Sequence, residues 1–136
     1  LVKGVLSPVC APSVLAAAGG NINRLVTDTR RIQSAGYNEW RDWSAQTGID
    51  LSQGRSALVI EDFLVAIRAV TLGEGLALLP RVLVQDLIDA GELVLFSDSA
   101  LQVDHTYHVA HTVASVKRPH VRAVVDWLRS SLAPLA

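Results

Sequence analysis

Methionine is missing altogether from these 136 residues, and cysteine occurs once, at Cys10. A natural reading frame opens with methionine, so the sequence is expected to be a piece of a longer one. A lone thiol excludes an internal disulfide and fits a reducing compartment. Long apolar runs are lacking too. None approaches the ~20 residues of a membrane span, and Leu1-Val2-Lys3-Gly4 has neither the apolar core nor the cleavage site of a secretion signal. Charge of one sign is not in excess. Lys and Arg number 12 against 13 Asp and Glu, a net −1, which offers no clustered basic surface for nucleic acid. The densest basic run, Lys117-Arg118 with Arg122, falls on a predicted helix and reads as a solvated face.

What is present is a globular balance. Half the residues are apolar and 18% are charged, enough for one domain with a hydrophobic core. Val2 to Leu6 predicts a strand, which the two prolines of Ser7-Pro8-Val9-Cys10-Ala11-Pro12 should break. Ser13 to Ala18 predicts a helix ended by Gly19-Gly20. Leu25-Val26-Thr27 reads as a weak strand. Asn38 is placed to cap a helix from Glu39 to about Gln46, stopped at Gly48. Ala57 to Ile60 reads as a buried strand, and Asp62 as the cap of a helix from Phe63 to about Leu72. There Phe63, Ala66, Ile67 and Val70 keep helical spacing. Leu76 to Leu79 is apolar on both faces, as in a strand covered on two sides. A helix from Val82 to Ala90 follows, then strands at Leu93 to Phe96 and Tyr107 to Ala110. Pro119 opens a last helix to about Leu132. The repeated strand–helix–strand order predicts a doubly wound α/β sheet.

Catalytic patterns are absent from this reading. Gly73-x-Gly75 follows a helix and precedes a strand, the reverse of a dinucleotide fingerprint. No nucleophile elbow, phosphate loop or acid–base pair stands out, so no catalytic residue is assigned and the chain is read as a non-enzyme. His105, His108 and His111 would share one face of a helix, but Thr106, Tyr107 and Val109 favour a strand. His108 would then point opposite to the other two. His105 and His111 would lie roughly 20 Å apart at ~3.3 Å per residue, so no metal is expected, nor any cofactor. Cys10 precedes a helix, where a thiol is acidified, yet reads first as a small semi-buried side chain. Trp40 and Trp43, three apart, read as core or interface, as does Trp127.

The remaining feature is a binding architecture. In open α/β sheets, ligands sit beyond the carboxyl ends of strands, where helix starts present free N–H groups and a positive dipole end. Three junctions qualify: Ser7 to Ser13, Ile60 to Leu64 and Leu79 to Val82. Gathered at one rim of a parallel sheet, they would suit a small carboxylate; ordinary capped helices explain them equally.

The ordered series Asp62–Ala66–Ala69–Gly73-Glu74-Gly75-Leu76-Ala77-Leu78-Leu79-Pro80, followed by Leu87 and Gly91-Glu92-Leu93-Val94, resembles the effector-binding domain of LysR-type transcriptional regulators. Ser7-Pro8-Val9-Cys10-Ala11-Pro12, Trp40-Arg41-Asp42-Trp43, Gly48 and the closing Pro119–Trp127-Leu128 resemble the branch of the glycine-cleavage activator. The resemblance implies a type II periplasmic-binding-protein-like fold, with a small effector held in a cleft between two α/β subdomains. Residues 7–104 would form the second subdomain. Residues 1–6 and 105–136 would be a crossing strand and a remnant of the first, whose early strand–helix repeats this sequence does not contain. By position, Ser7, Pro8, Val9 and Cys10, then Glu61, Asp62, Phe63 and Leu64, then Leu78, Leu79 and Pro80, would line the effector site. Phe63 would give apolar contact, and backbone amides would orient polar groups. A cytoplasmic homo-oligomer is implied, without a membrane partner, reaching DNA only through a winged helix-turn-helix that this sequence lacks. A solute-binding protein of the same fold, serving a transporter, is the alternative.

Overall fold

The computed structural model describes residues 1–34 and 37–135. It divides into two compact units. Unit 2 is Val5–Leu101; unit 1 is Leu1–Gly4 with Gln102–Ala136.

Unit 2 is built on a mixed sheet. Strand β1 (Val2–Cys10) enters it from unit 1, and β2 (Arg31–Gln33), β3 (Leu58–Val59), β4 (Leu76–Pro80) and β5 (Val94–Leu95) complete it in the order β3-β2-β4-β1-β5. β2 runs parallel to both β3 and β4. β1 is antiparallel to β4, with Ser7 opposite Leu79 and Leu6 opposite Pro80, and antiparallel to β5. The α/β sheet is thus as expected in class, but the parallel rim expected of it is limited to β2, β3 and β4, because β1 runs against β4 and β5.

Pro8 does not break β1, contrary to expectation, because the sheet closes on that side. In this register Pro8 faces Phe96, one step beyond the Val9–Leu95 pair. The Pro8 carbonyl accepts from Phe96 N at 3.1 Å. Such a pair normally exchanges two bonds, and proline has no N–H to return. Pairing with β5 stops there, and β1 keeps its partner β4 on the other side.

Short helices follow the strands: α1 (Pro12–Ala17), α2 (Ile22–Asp28), α3 (Glu39–Thr47), α4 (Phe63–Thr71) and α5 (Arg81–Asp89). Leu25 to Thr27 belongs to helix α2 instead of the expected strand. Asn21 caps it by accepting from Arg24 N at 3.0 Å, and Leu25 and Val26 are both buried. A capped helix of about two turns outweighs β propensity in so short a segment. Asn38 precedes α3 but makes no side-chain capping bond. Gly48 ends α3 with φ +74, the left-handed stop that glycine takes without strain. β3 differs from expectation in position: it is the sheet edge, with Leu58 and Val59 exposed.

Burial on the two sheet faces follows the alternation of β4, which is buried along its whole length. Ala77 and Leu79 join Val9 and Ile32 under Ala66 and Val70 of α4, Val84 of α5, and Leu93. Each large side chain taken fully out of water contributes about 1.5–3 kcal/mol. Trp40 and Trp43 form a cluster with Phe96, with ring centroids 5.8–6.4 Å apart. Their indole N–H groups are satisfied by the carbonyls of Ile32 (2.8 Å) and Ser99 (2.6 Å). This is the core role expected of them.

In unit 1, β6 (Leu101–Tyr107) pairs with the first residues of β1, and α6 (Pro119–Leu132) follows a 3-10 turn at Ser115–Lys117. The strand expected at Tyr107 to Ala110 is thus placed earlier in the chain. α6 has the bounds that Pro119 and its apolar spacing predict. Its stripe is only partly covered: Val125 is buried, while Val124 and Trp127 are exposed.

Candidate functional site

Strand direction decides which junctions meet. β2, β3 and β4 point the same way, so the starts of α3, α4 and α5 lie at one rim of unit 2. β1 points the other way. Ser7 and Pro8 are brought to this rim beside Leu78, Leu79 and Pro80. The start of α1 is carried to the opposite rim, roughly 16 Å from Ser7 at ~3.3 Å per residue. Of the three junctions named from sequence, two therefore share a rim, and the third contributes its Ser7 end alone. The helix start that takes its place is α3.

The two shared junctions differ chemically. At α4 the Asp62 carboxylate accepts from Leu64 N (2.8 Å) and Val65 N (3.0 Å). Those amides are occupied, and Glu61 stands exposed beside them with a second negative charge. Two acidic groups and two occupied amides make this helix start a poorer match for a carboxylate than an uncapped one. What α4 does offer is apolar: Phe63 is 40% exposed and Leu64 74%.

At α5 the N-cap is Pro80, and no side chain caps the helix. Its first-turn N–H groups have no intrahelical acceptor. Arg81 occupies the first turn, where a positive charge opposes the helix dipole. Its Nη1 approaches Ser7 Oγ at 3.5 Å, at the long limit of a hydrogen bond, and its Nε donates to Gln85 Oε1 at 2.5 Å. Gln85 in turn donates to Asp89 at 2.6 Å. This chain of contacts holds a half-buried guanidinium beside an uncapped helix start, next to a hydroxyl that is almost wholly buried. Arg81 escaped the sequence reading. The available signal was a basic residue directly after the proline that opens a helix, the worst place for it on dipole grounds.

Val9 and Cys10 are fully buried, and Leu78 and Leu79 nearly so. Their side chains support the rim from within. Burial pushes the Cys10 thiol up to about 11, opposed by a backbone hydrogen bond from Leu15, the reverse of an acidified redox thiol. His105 lies on β6, while His108 and His111 follow its end. Among the described residues no group of three metal-ligating side chains converges, and no helix is long and apolar enough to cross a membrane.

The family model described as LysR substrate binding domain matches residues 5–133. The chain is similar to the AmpR effector binding domain from Citrobacter freundii: 17% identity, TM-score 0.72, covering 98% of this chain and 66% of that one. It is similar to the effector domain of the transcriptional regulator AmpR of Pseudomonas aeruginosa, with 19% identity and TM-score 0.70, over 100% of this chain and 64% of that one. Full-length LysG from Corynebacterium glutamicum with bound effector Arg is matched at 19% identity and TM-score 0.60, over 74% of this chain and 35% of that one. The chain thus spans between a third and two thirds of the length of these structures. No curated protein matches. At such identities the solved structures show the fold, that of type II periplasmic-binding-protein-like domains. The family match covers nearly the whole sequence, and on it the chain belongs to the LysR substrate-binding domain family.

Proposed function

We propose that this chain is the effector-sensing part of a LysR-type transcriptional regulator, in the branch of the glycine-cleavage activator, and that it works by binding and without catalysis. Unit 2 corresponds in this reading to the second subdomain, and unit 1 to a partial first subdomain. The effector is a small carboxylate. Arg81 and the free amides of α5 receive the carboxylate, the Ser7 hydroxyl lies beside it, and Phe63 gives apolar contact. The rim of unit 2 is the wall that this subdomain supplies to the effector cleft. The regulator is cytoplasmic and homo-oligomeric, and it reaches DNA through a winged helix-turn-helix outside this sequence. Effector binding shifts its DNA hold through differential affinity of a few kcal/mol between two states.

One observation carries the reading: a guanidinium set against the dipole at an uncapped helix start, opposite a buried hydroxyl. An anion bound there relieves the mismatch and gains charge-assisted hydrogen bonds. The family match favours a regulator over a transporter's solute-binding protein. Thermal-shift screening against amino acids and aromatic acids tests the proposal. A bound effector raises stability by ~2.7 kcal/mol at a hundredfold excess over its Kd. Arg81→Ala should abolish that shift while leaving the unliganded melting temperature close to the parent's. A panel in which every stabilising carboxylate keeps its full effect in Arg81→Ala would remove this site from consideration.

A further inference from the structure

The opposite rim of unit 2 holds a separate concavity. It has a volume of about 650 Å³, within the ~300–1,000 Å³ usual for small-molecule sites. Its walls come from α1, the end of α2, the loop before β3 and the turn between α4 and β4. Strand direction places it away from Arg81: Arg30 and Glu74 precede the parallel strands β2 and β4, whereas Arg81 follows β4.

Four charged side chains line it: Asp28, Arg30, Arg55 and Glu74. Asp28 is paired with Arg24 at 3.4 Å. The side chains of Arg30, Arg55 and Glu74 have no hydrogen-bond or ion-pair partner among the described residues, not even one another. Two guanidinium groups and one carboxylate thus share a concave site without neutralising each other. All three are exposed, so water solvates them in the unliganded chain and each keeps its full donor or acceptor capacity for a ligand of matching charge pattern. The neighbouring Arg31, by contrast, is used internally and donates to the Leu51 carbonyl at 2.9 Å. Val14 and Leu72 add apolar wall.

We infer that this cavity is a second ligand site, for a small amphoteric acid with two anionic groups and one ammonium, the class of the acidic α-amino acids. Arg30 and Arg55 each take a carboxylate, and Glu74 takes the ammonium. The site is independent of the effector rim.

Nuclear magnetic resonance titration of the 15N-labelled chain with L-glutamate, and separately with glutarate, tests it. L-glutamate should shift the amides of Val14, Gly73 and Glu74. Arg30→Ala and Arg55→Ala should each weaken binding about tenfold, the loss expected for one charge-assisted hydrogen bond. Both residues are exposed, and the unliganded spectrum checks that the variants keep the fold. Glu74→Gln should weaken L-glutamate and leave glutarate unchanged, and Arg81→Ala should leave both titrations unchanged. Shifts confined to the rim around Arg81, no shifts at millimolar ligand, or parent-like affinity in the arginine variants would each overturn the inference.

Discussion

Cys10 shows how a residue's chemistry is reset by its surroundings. Its pKa is raised from 9.0 to about 11, chiefly by burial. The folded state therefore holds its proton more tightly than the unfolded state does. That contribution to stability is complete below about pH 9 and is lost as pH rises toward 11. Urea unfolding of the parent and of Cys10→Ala across this range should show a decline in the parent that the variant lacks. In the native state the thiol should resist alkylation at neutral pH and react freely once denatured. Asp62 makes the opposite kind of contribution, through geometry alone. Asp62→Ala removes both bonds to the α4 amides and should cost about 0.5–2 kcal/mol in urea denaturation. It also uncovers those amides, so any anion affinity gained at α4 would report the poorer match described above.

The turn between α4 and β4 explains why Gly-x-Gly precedes the buried strand. Gly73 has φ +83 and stops the helix. Gly75 solves a different problem, close approach. A Cβ there would sit 2.7 Å from the Arg30 carbonyl oxygen, which accepts from Leu76 N at 2.9 Å. Gly75→Ala must push β4 away from β2, and a loss of about 1–3 kcal/mol, the usual cost of overpacking, is expected in chemical denaturation. Parent-like stability in that variant would show that β2 yields. The helices with clear punctuation were legible in the sequence: α3 by Gly48, α4 by Asp62 and its apolar spacing, α6 by Pro119. Two of the short elements were not. α2 spans seven residues, too few for periodicity to separate helix from strand. β2 has three and is recognisable only by its neighbours.

The two units differ in how much apolar surface they remove from water. Nearly every buried side chain belongs to unit 2, whereas unit 1 buries Val2 and Val125 and leaves Val113, Val124 and Trp127 largely exposed. Local opening costs least where few apolar contacts are lost. Hydrogen exchange should therefore protect the β4 amides most and release α6 much earlier. Equal protection in α6 and β4 would mean that the whole chain opens only as one cooperative body.

Composition and pattern alone were enough for the α/β class, the absence of any catalytic motif, the family resemblance and the stretch of chain from Asp62 to Pro80. These depend on local chemistry: caps, glycine stops and apolar spacing act between residues a few positions apart. The direction of β1 was settled by tertiary pairing. An isolated strand reads the same either way, yet its antiparallel placement sends α1 to the far rim and sets Ser7 against Leu79. The chemical split between the α4 and α5 starts is also tertiary, because Arg81 meets Ser7 across 74 positions of sequence, a proximity that only the folded sheet creates.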